Sequence, residues 1–396
     1  MGRMHVDRFS LVASMVLVSS LVSGCADVRN HFGGVDNREK PAELAELEGQ
    51  QVAIETIWSE DVGSGVENQY LRLTPVIAEG RVFAANGDGD VTCYDAQTGK
   101  KLWSRDLEVA ITGGPGTDGD VVVVGSDDGD VVAMLAGGGD ELWRARVSSE
   151  ILAAPRIADG VVVVRTIDGK LFGIDRSSGK RRWIYDRSVP VLTLRGTSPP
   201  AVARGLAING FDSGRLVAVS IEDGETVWEA RLATPRGRTE LERLVDIDAE
   251  PLIVDGTVFA VTYQGRIAAL DLLTGDLLWR RDMSSHAGLT VDNDQLYVTD
   301  DKSHVWALDR DSSASVWRQQ TFNARDITAP GVLGQWVVVG DLQGYVHWLD
   351  RDDGRPVARV RVGSDRLIAA PIVVEDTVYV YSTNGTLAAL RPRLPQ

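Results

Sequence analysis

Cysteine is nearly absent from this chain of 396 residues. Cys25 and Cys93 are its two cysteines, and because Cys25 ends a lipoprotein-type signal and is expected to carry lipid, no structural disulfide is expected in the mature chain. Histidine is almost as scarce. The five histidines (His5, His31, His286, His304 and His347) include no pair at a metal-ligand spacing such as HExxH, and no CxxC exists, so no metal site is read. An excess of positive charge is also missing. The formal net charge of -16 makes the chain a poor binder of nucleic acid or anionic lipid. The glycine-rich stretches Gly113-Gly114-Pro115-Gly116 and Gly137-Gly138-Gly139 do not open helices, so they read as turns rather than phosphate cradles. No catalytic constellation and no cofactor site emerges, and the chain is expected not to be an enzyme.

What the sequence does have is a period. Trp58, Trp103, Trp143, Trp183, Trp228, Trp279 and Trp317 recur at intervals of about 40 residues, each closing a block that reads as short strands separated by turns. Asp88-Gly89, Asp128-Gly129, Asp168-Gly169, Ser213-Gly214, Gln264-Gly265, Gln343-Gly344 and Asn384-Gly385 mark tight hairpins between apolar, β-branched runs, and Ser303-His304 stands at the same point without a glycine. Runs such as Val121 to Val124 and Val161 to Val164 are apolar at every position, as strands covered on both faces must be. The pattern predicts an all-β fold, an eight-bladed β-propeller of four-stranded antiparallel blades. The last block, ending at Leu390, lacks a fourth strand, and Ile54 to Trp58 is a strand without a block. Pairing the two closes the ring with an N-terminal strand and removes an exposed edge. Val357 is expected at the tryptophan position of the seventh blade. The tryptophans, recurring with the blade, are read as inter-blade packing, and Cys93 as a small buried filler.

Residues 1–24 stand apart from the propeller, which is placed at 52–391. Arg3 and Arg8 precede an apolar run from Phe9 to Leu21, too short to span a bilayer as a mature helix, and Leu21-Val22-Ser23-Gly24-Cys25 follows. This reads as a lipoprotein signal peptide, with Cys25 the lipidation site and the new N-terminus. Residues 25–51 form the lipidated cysteine and a polar, mixed-charge, flexible tether of reach up to ~80 Å. Ala26 rather than Asp follows Cys25, and the resemblance to bacterial lipoproteins then implies the outer membrane as destination.

Function is expected where the repeat is stretched. Trp103 to Pro115 and Trp143 to Pro155 each take 12 residues, whereas Trp183 to Pro200 takes 17 and Trp228 to Pro251 takes 23. Trp58 to Pro75 also takes 17, so length alone does not single out the adjacent pair. In the first of these two loops Leu192 and Leu194 share one side of an extended segment beside Arg195; in the second, Asp246 and Asp248 project together if the segment is extended. Two readings stand: a protein-docking patch, or leucines tucked under the loop with Arg195 or Arg243 paired to the aspartates.

At Leu194-Arg195-Gly196-Thr197-Ser198, at Glu240 to Asp248 and at Gly340-Asp341-Leu342-Gln343-Gly344-Tyr345-Val346-His347-Trp348 the chain resembles the BamB family, lipoproteins of the bacterial outer-membrane β-barrel assembly (BAM) complex. The resemblance covers Cys25 and essentially the whole propeller. It implies a pyrroloquinoline-quinone-type repeat propeller, lipid-anchored to the outer membrane with the propeller in the periplasm. It further implies a non-enzymatic scaffold that binds BamA through its POTRA domains, at Leu192, Leu194, Arg195, Asp246 and Asp248, alongside the other BAM subunits and unfolded outer-membrane precursors. The alternatives are a quinone-dependent dehydrogenase-like propeller, for which Cys93 lacks the partner of an adjacent-cysteine disulfide, and a small-ligand-binding periplasmic propeller.

Overall fold

The structure, a computed structural model, describes residues 39–47, 52–66, 71–186, 198–234 and 245–393. The chain divides into two compact units, Met1–Pro41 and Ala42–Gln396, and the second holds the fold. Among the described residues, thirty-two strands form eight four-stranded antiparallel sheets, the blades of a β-propeller, with no helix. Blades one to seven are continuous in sequence, at residues 76–106, 111–146, 156–185, 201–231, 252–282, 288–319 and 331–361. Blade eight takes three strands from 372–393 and its outer strand, Ala53–Asp61, from the start of the propeller. Ile54 lies opposite Pro392, Trp58 opposite Ala389 and Asp61 opposite Thr386.

The second and third strands of each blade are buried on both faces, as the unbroken valine runs require; Val121 to Val124 are at most 2% exposed. The hairpin between these strands needs a left-handed residue. Gly89 supplies it with φ 116°, and in blade six Ser303, where glycine is missing, takes φ 67°.

Each tryptophan of the period sits on an outer strand and clamps the next blade. The indole N–H donates to a carbonyl in the turn before that blade's outer strand: Trp58 to Ala96, Trp103 to Ala136, Trp143 to Arg176, Trp183 to Ile221, Trp228 to Leu272, Trp279 to Arg310 and Trp317 to Arg351, at 2.7–2.9 Å. The ring then lies on the turn itself. A Cβ added to Gly224 would stand 2.7 Å from the Trp183 ring, so the turn glycine is a requirement of close approach. Within the blade the indole faces a small residue on the third strand, which in blade one is Cys93 opposite Trp103. Burial pushes the Cys93 thiol up to about 11, in keeping with a filler.

Blade seven departs from the expected register. Its residue at the tryptophan position is Ala358, not Val357, and the residue opposite is Trp348. Val357 occupies the bulge, where Leu102, Val227, Leu278 and Val316 stand exposed in other blades. Here that side chain is buried, in one apolar cluster with Val52, Trp336 and Trp348.

Ala42 and Ala45, ahead of the first strand, run on the propeller. The Ala42 amide donates to the Asn323 carbonyl at 2.9 Å, and Arg325 and Arg359 donate to the carbonyls of Ala42 and Ala45.

Candidate functional site

The two long loops leave and re-enter adjacent blades. The first follows Tyr185, the end of blade three's outer strand; Leu192, Leu194 and Arg195 lie outside the described residues, as does Cys25. The second follows blade four's outer strand, which ends at Arg231, and its returning stem is described from Val245. That stem is packed tightly. Ile247 is fully buried against Gly210, where a Cβ would stand 2.2 Å from the isoleucine side chain, so only glycine lets the stem approach. The Asp246 carbonyl accepts the Tyr263 amide at 2.8 Å. Ser198, just after the first loop, donates its hydroxyl to the Ala249 carbonyl at 3.0 Å, joining the two stems directly.

Asp246 and Asp248 are 1% and 9% exposed, so they are not a surface pair in the isolated chain. Strict alternation with Val245 and Ile247 suggests one dry and one wet side, but both sides of this stem are covered. The positive charges that act here are Arg72, on Asp248, and the buried Arg165, which sequence reasoning missed. Its guanidinium is fully buried, donates to the Gly210 carbonyl and to Asp212 Oδ1 at 3.2 Å, and lies 4.4 Å from the centre of the Phe211 ring. Phe211 in turn packs on Tyr185 at 5.9 Å. Two signals were available in the sequence. Arg165 ends an all-valine run, at the place where other blades carry Ala85, Gly125, Gly210, Val261, Thr299, Gly340 and Tyr381. Phe211 stands where a small polar residue otherwise caps the hairpin, as Asn86, Ser126, Thr262, Asp300, Asp341 and Ser382 do by accepting the amide four residues on.

The cluster holds more negative than positive groups away from water. Burial pushes the Asp248 carboxyl up to about 6, with Arg72 and Arg165 opposing the rise and Asp212 adding to it. Burial also raises Asp212, against the pull of Arg165. The consequence for stability has a definite sign. Because the folded Asp248 binds its proton more tightly than the unfolded carboxyl, whose ordinary value is 3.8, its contribution is fully present below that value and is lost as pH rises through about 6. Asp248→Asn is therefore expected to raise stability at pH 7.5 by on the order of 2 kcal/mol and to change it little at pH 4. Urea unfolding across that range checks it, and a difference independent of pH would refute it.

Asp248 also lines the central channel, a cavity of about 1070 Å³ with largely apolar walls from the inner strands. Arg72 at its wall donates to the His286 carbonyl at 2.7 Å, and Arg156 reaches from blade three to Glu250 at 3.2 Å between Nε and Oε1. Among the described residues, no three histidine, cysteine, aspartate or glutamate side chains are grouped to hold a metal ion.

The sequence and fold match known proteins in the same sense. A family model described as outer membrane protein assembly factor BamB matches residues 87–319 and 322–393. The chain is 46% identical over 354 residues to the outer membrane protein assembly factor BamB of Alkalilimnicola ehrlichii, covering 89% of this chain and 92% of the relative. The crystal structure of BamB from Moraxella catarrhalis superposes with a TM-score of 0.79 at 28% identity, covering 86% of this chain and all of that one. A europium-containing methanol dehydrogenase superposes with a TM-score of 0.70 at 14% identity, which is a likeness of fold alone.

Proposed function

The chain belongs to the BamB family of outer membrane protein assembly factors, and from that premise we propose that it is a non-enzymatic scaffold that docks BamA through its periplasmic POTRA domains. In this reading Cys25 carries the lipid that holds the protein at the outer membrane, and the propeller works in the periplasm beside the other BAM subunits and unfolded outer-membrane precursors. One observation supports the reading above the rest. The two adjacent stretched connections, Trp183 to Pro200 and Trp228 to Pro251, are bonded to each other at their described returning ends, Ser198 to Ala249. Loops built on a rigid propeller are where a partner is read.

In the proposal Leu192 and Leu194 supply the apolar anchor and Arg195 a forked cation for a carboxylate of the partner. Asp246 and Asp248, being buried, act by holding the second stem. An enclosed Asp248 with its carboxyl pushed up to about 6 costs stability at neutral pH, which supports a role for it beyond folding. Leu192→Ala and Arg195→Glu are each expected to weaken binding of POTRA domains to the full chain at least tenfold, ~1.4 kcal/mol, with circular dichroism unchanged. Unchanged affinity in both folded variants would remove the assignment.

A further inference from the structure

We propose that Arg165 is the positioning residue of this docking face: from the end of blade three's second strand, Val161–Arg165, it ties the described stems of both long loops together and so fixes the spacing of those stems. The inference rests on the docking reading above and deepens it.

The geometry is a hub with two arms. On one side Arg165 stacks on Phe211 at 4.4 Å, and Phe211 packs on Tyr185, the last strand residue before the first loop. On the other, Arg165 binds the Gly210 carbonyl and Asp212, and Gly210 is the residue against which Ile247 of the second stem is seated. Asp246 and Asp248 flank that isoleucine and add their attraction to the same guanidinium. Packing alone does not call for an arginine. Seven other blades fill the equivalent position with Ala, Gly, Val, Thr or Tyr, and a fully enclosed guanidinium ringed by carboxylates is a costly way to fill space. What an ion network supplies that apolar packing does not is a single, directional arrangement of the groups attached to it.

The test uses the full chain in detergent. Arg165→Met keeps the volume and removes the charge, and Arg165→Lys keeps the charge without the fork. The folded Arg165→Met variant is expected to bind POTRA domains at least tenfold more weakly, with partial recovery in Arg165→Lys. Amide exchange at Tyr263, which bonds the second stem, should speed up at least tenfold while Tyr345 in blade seven stays protected. A purely structural role would lower the melting temperature without changing the affinity of the folded protein. The pH profile of binding gives a separate readout. The groups facing Asp248 are Arg72, Arg165 and Asp212, so losing Arg165 removes one of two cations and should move the midpoint of the profile to higher pH. If Arg165→Met does not fold, Asp212→Asn carries the same expectation for affinity and exchange. Unchanged affinity in Arg165→Met, or in Asp212→Asn where that stands in, with Arg195→Glu still weakened overturns the role of Arg165 and leaves the docking reading intact. Unchanged affinity in all of them overturns both.

Discussion

Asp341→Ala is expected to destabilise the propeller by about 3–5 kcal/mol, because it strips the one carboxylate from a buried ion cluster in blade seven. Asp341 Oδ2 accepts from Arg325 Nε at 3.1 Å, from Arg325 Nη2 at 2.6 Å and from His347 Nε2 at 2.9 Å. Its Oδ1 caps the hairpin by accepting the amides of Gln343 and Tyr345 at 2.8 and 3.0 Å. All three residues are at most 2% exposed. Burial alone would push the Asp341 carboxyl up, but the bonds from His347 and Arg325 outweigh it and hold it below the usual carboxylate range. Its contribution is therefore present above the unfolded value of 3.8 and is lost as pH falls through the lower folded value. Alanine would leave the Arg325 charge enclosed with Gln343 Oε1 and the Ala42 carbonyl as its remaining acceptors, so the damage should extend to the segment at Ala42. Asp341→Asn keeps the hairpin cap and should cost less. Urea unfolding at pH 7 measures both, and a loss below about 1 kcal/mol in the alanine variant would mean that the cluster contributes no more than a surface pair.

The same motif illustrates what a sequence conceals. Gly340 to Trp348 carries a strong family resemblance, and its residues turn out to be packing and hydrogen bonding inside blade seven. The number of blades was legible because its causes are local: a tryptophan that must reach the next turn, and hairpins that must turn at Asp-Gly or its equivalents. The seventh blade was misread by one residue because the bulge before each tryptophan is invisible in sequence and Val357 resembles a core residue more than Ala358 does. The buried state of Asp246 and Asp248 was illegible for a different reason. Alternation along one segment tells which residues share a side, but what covers that side is set by Gly210, Arg165 and Tyr263, which come from three other places in the chain. Arg165 was legible only by comparing blades, since a charge at the end of Val161 to Val164 stands out only against the Ala, Gly, Val, Thr or Tyr at the same place elsewhere.

Blade seven also gives the sharpest test of how the ring closes. At seven interfaces the outer-strand indole reaches a carbonyl in the turn between the third and outer strands of the next blade. Blade eight has no such turn, because its third strand, Thr386–Arg393, and its outer strand, Ala53–Asp61, come from opposite ends of the propeller. An indole on blade seven's outer strand would find no carbonyl to bond and no turn to lie on. The pair is accordingly inverted, with the small residue, Ala358, on the outer strand and Trp348 on the third. Trp348 is fully buried and meets Trp336 edge to face at 6.0 Å, while its N–H has no partner among the described residues. Its worth is therefore volume and contact area. Trp348→Ala is expected to cost about 3–5 kcal/mol. The double variant Trp348→Ala, Ala358→Trp restores the arrangement of the other blades, yet it should recover none of that loss, since the indole would face the closure seam with its N–H again unpaired. Denaturant unfolding compares the two. Recovery of more than half the loss would show that the inverted pair is an accident of this blade; no recovery would trace it to the way the two ends of the propeller meet.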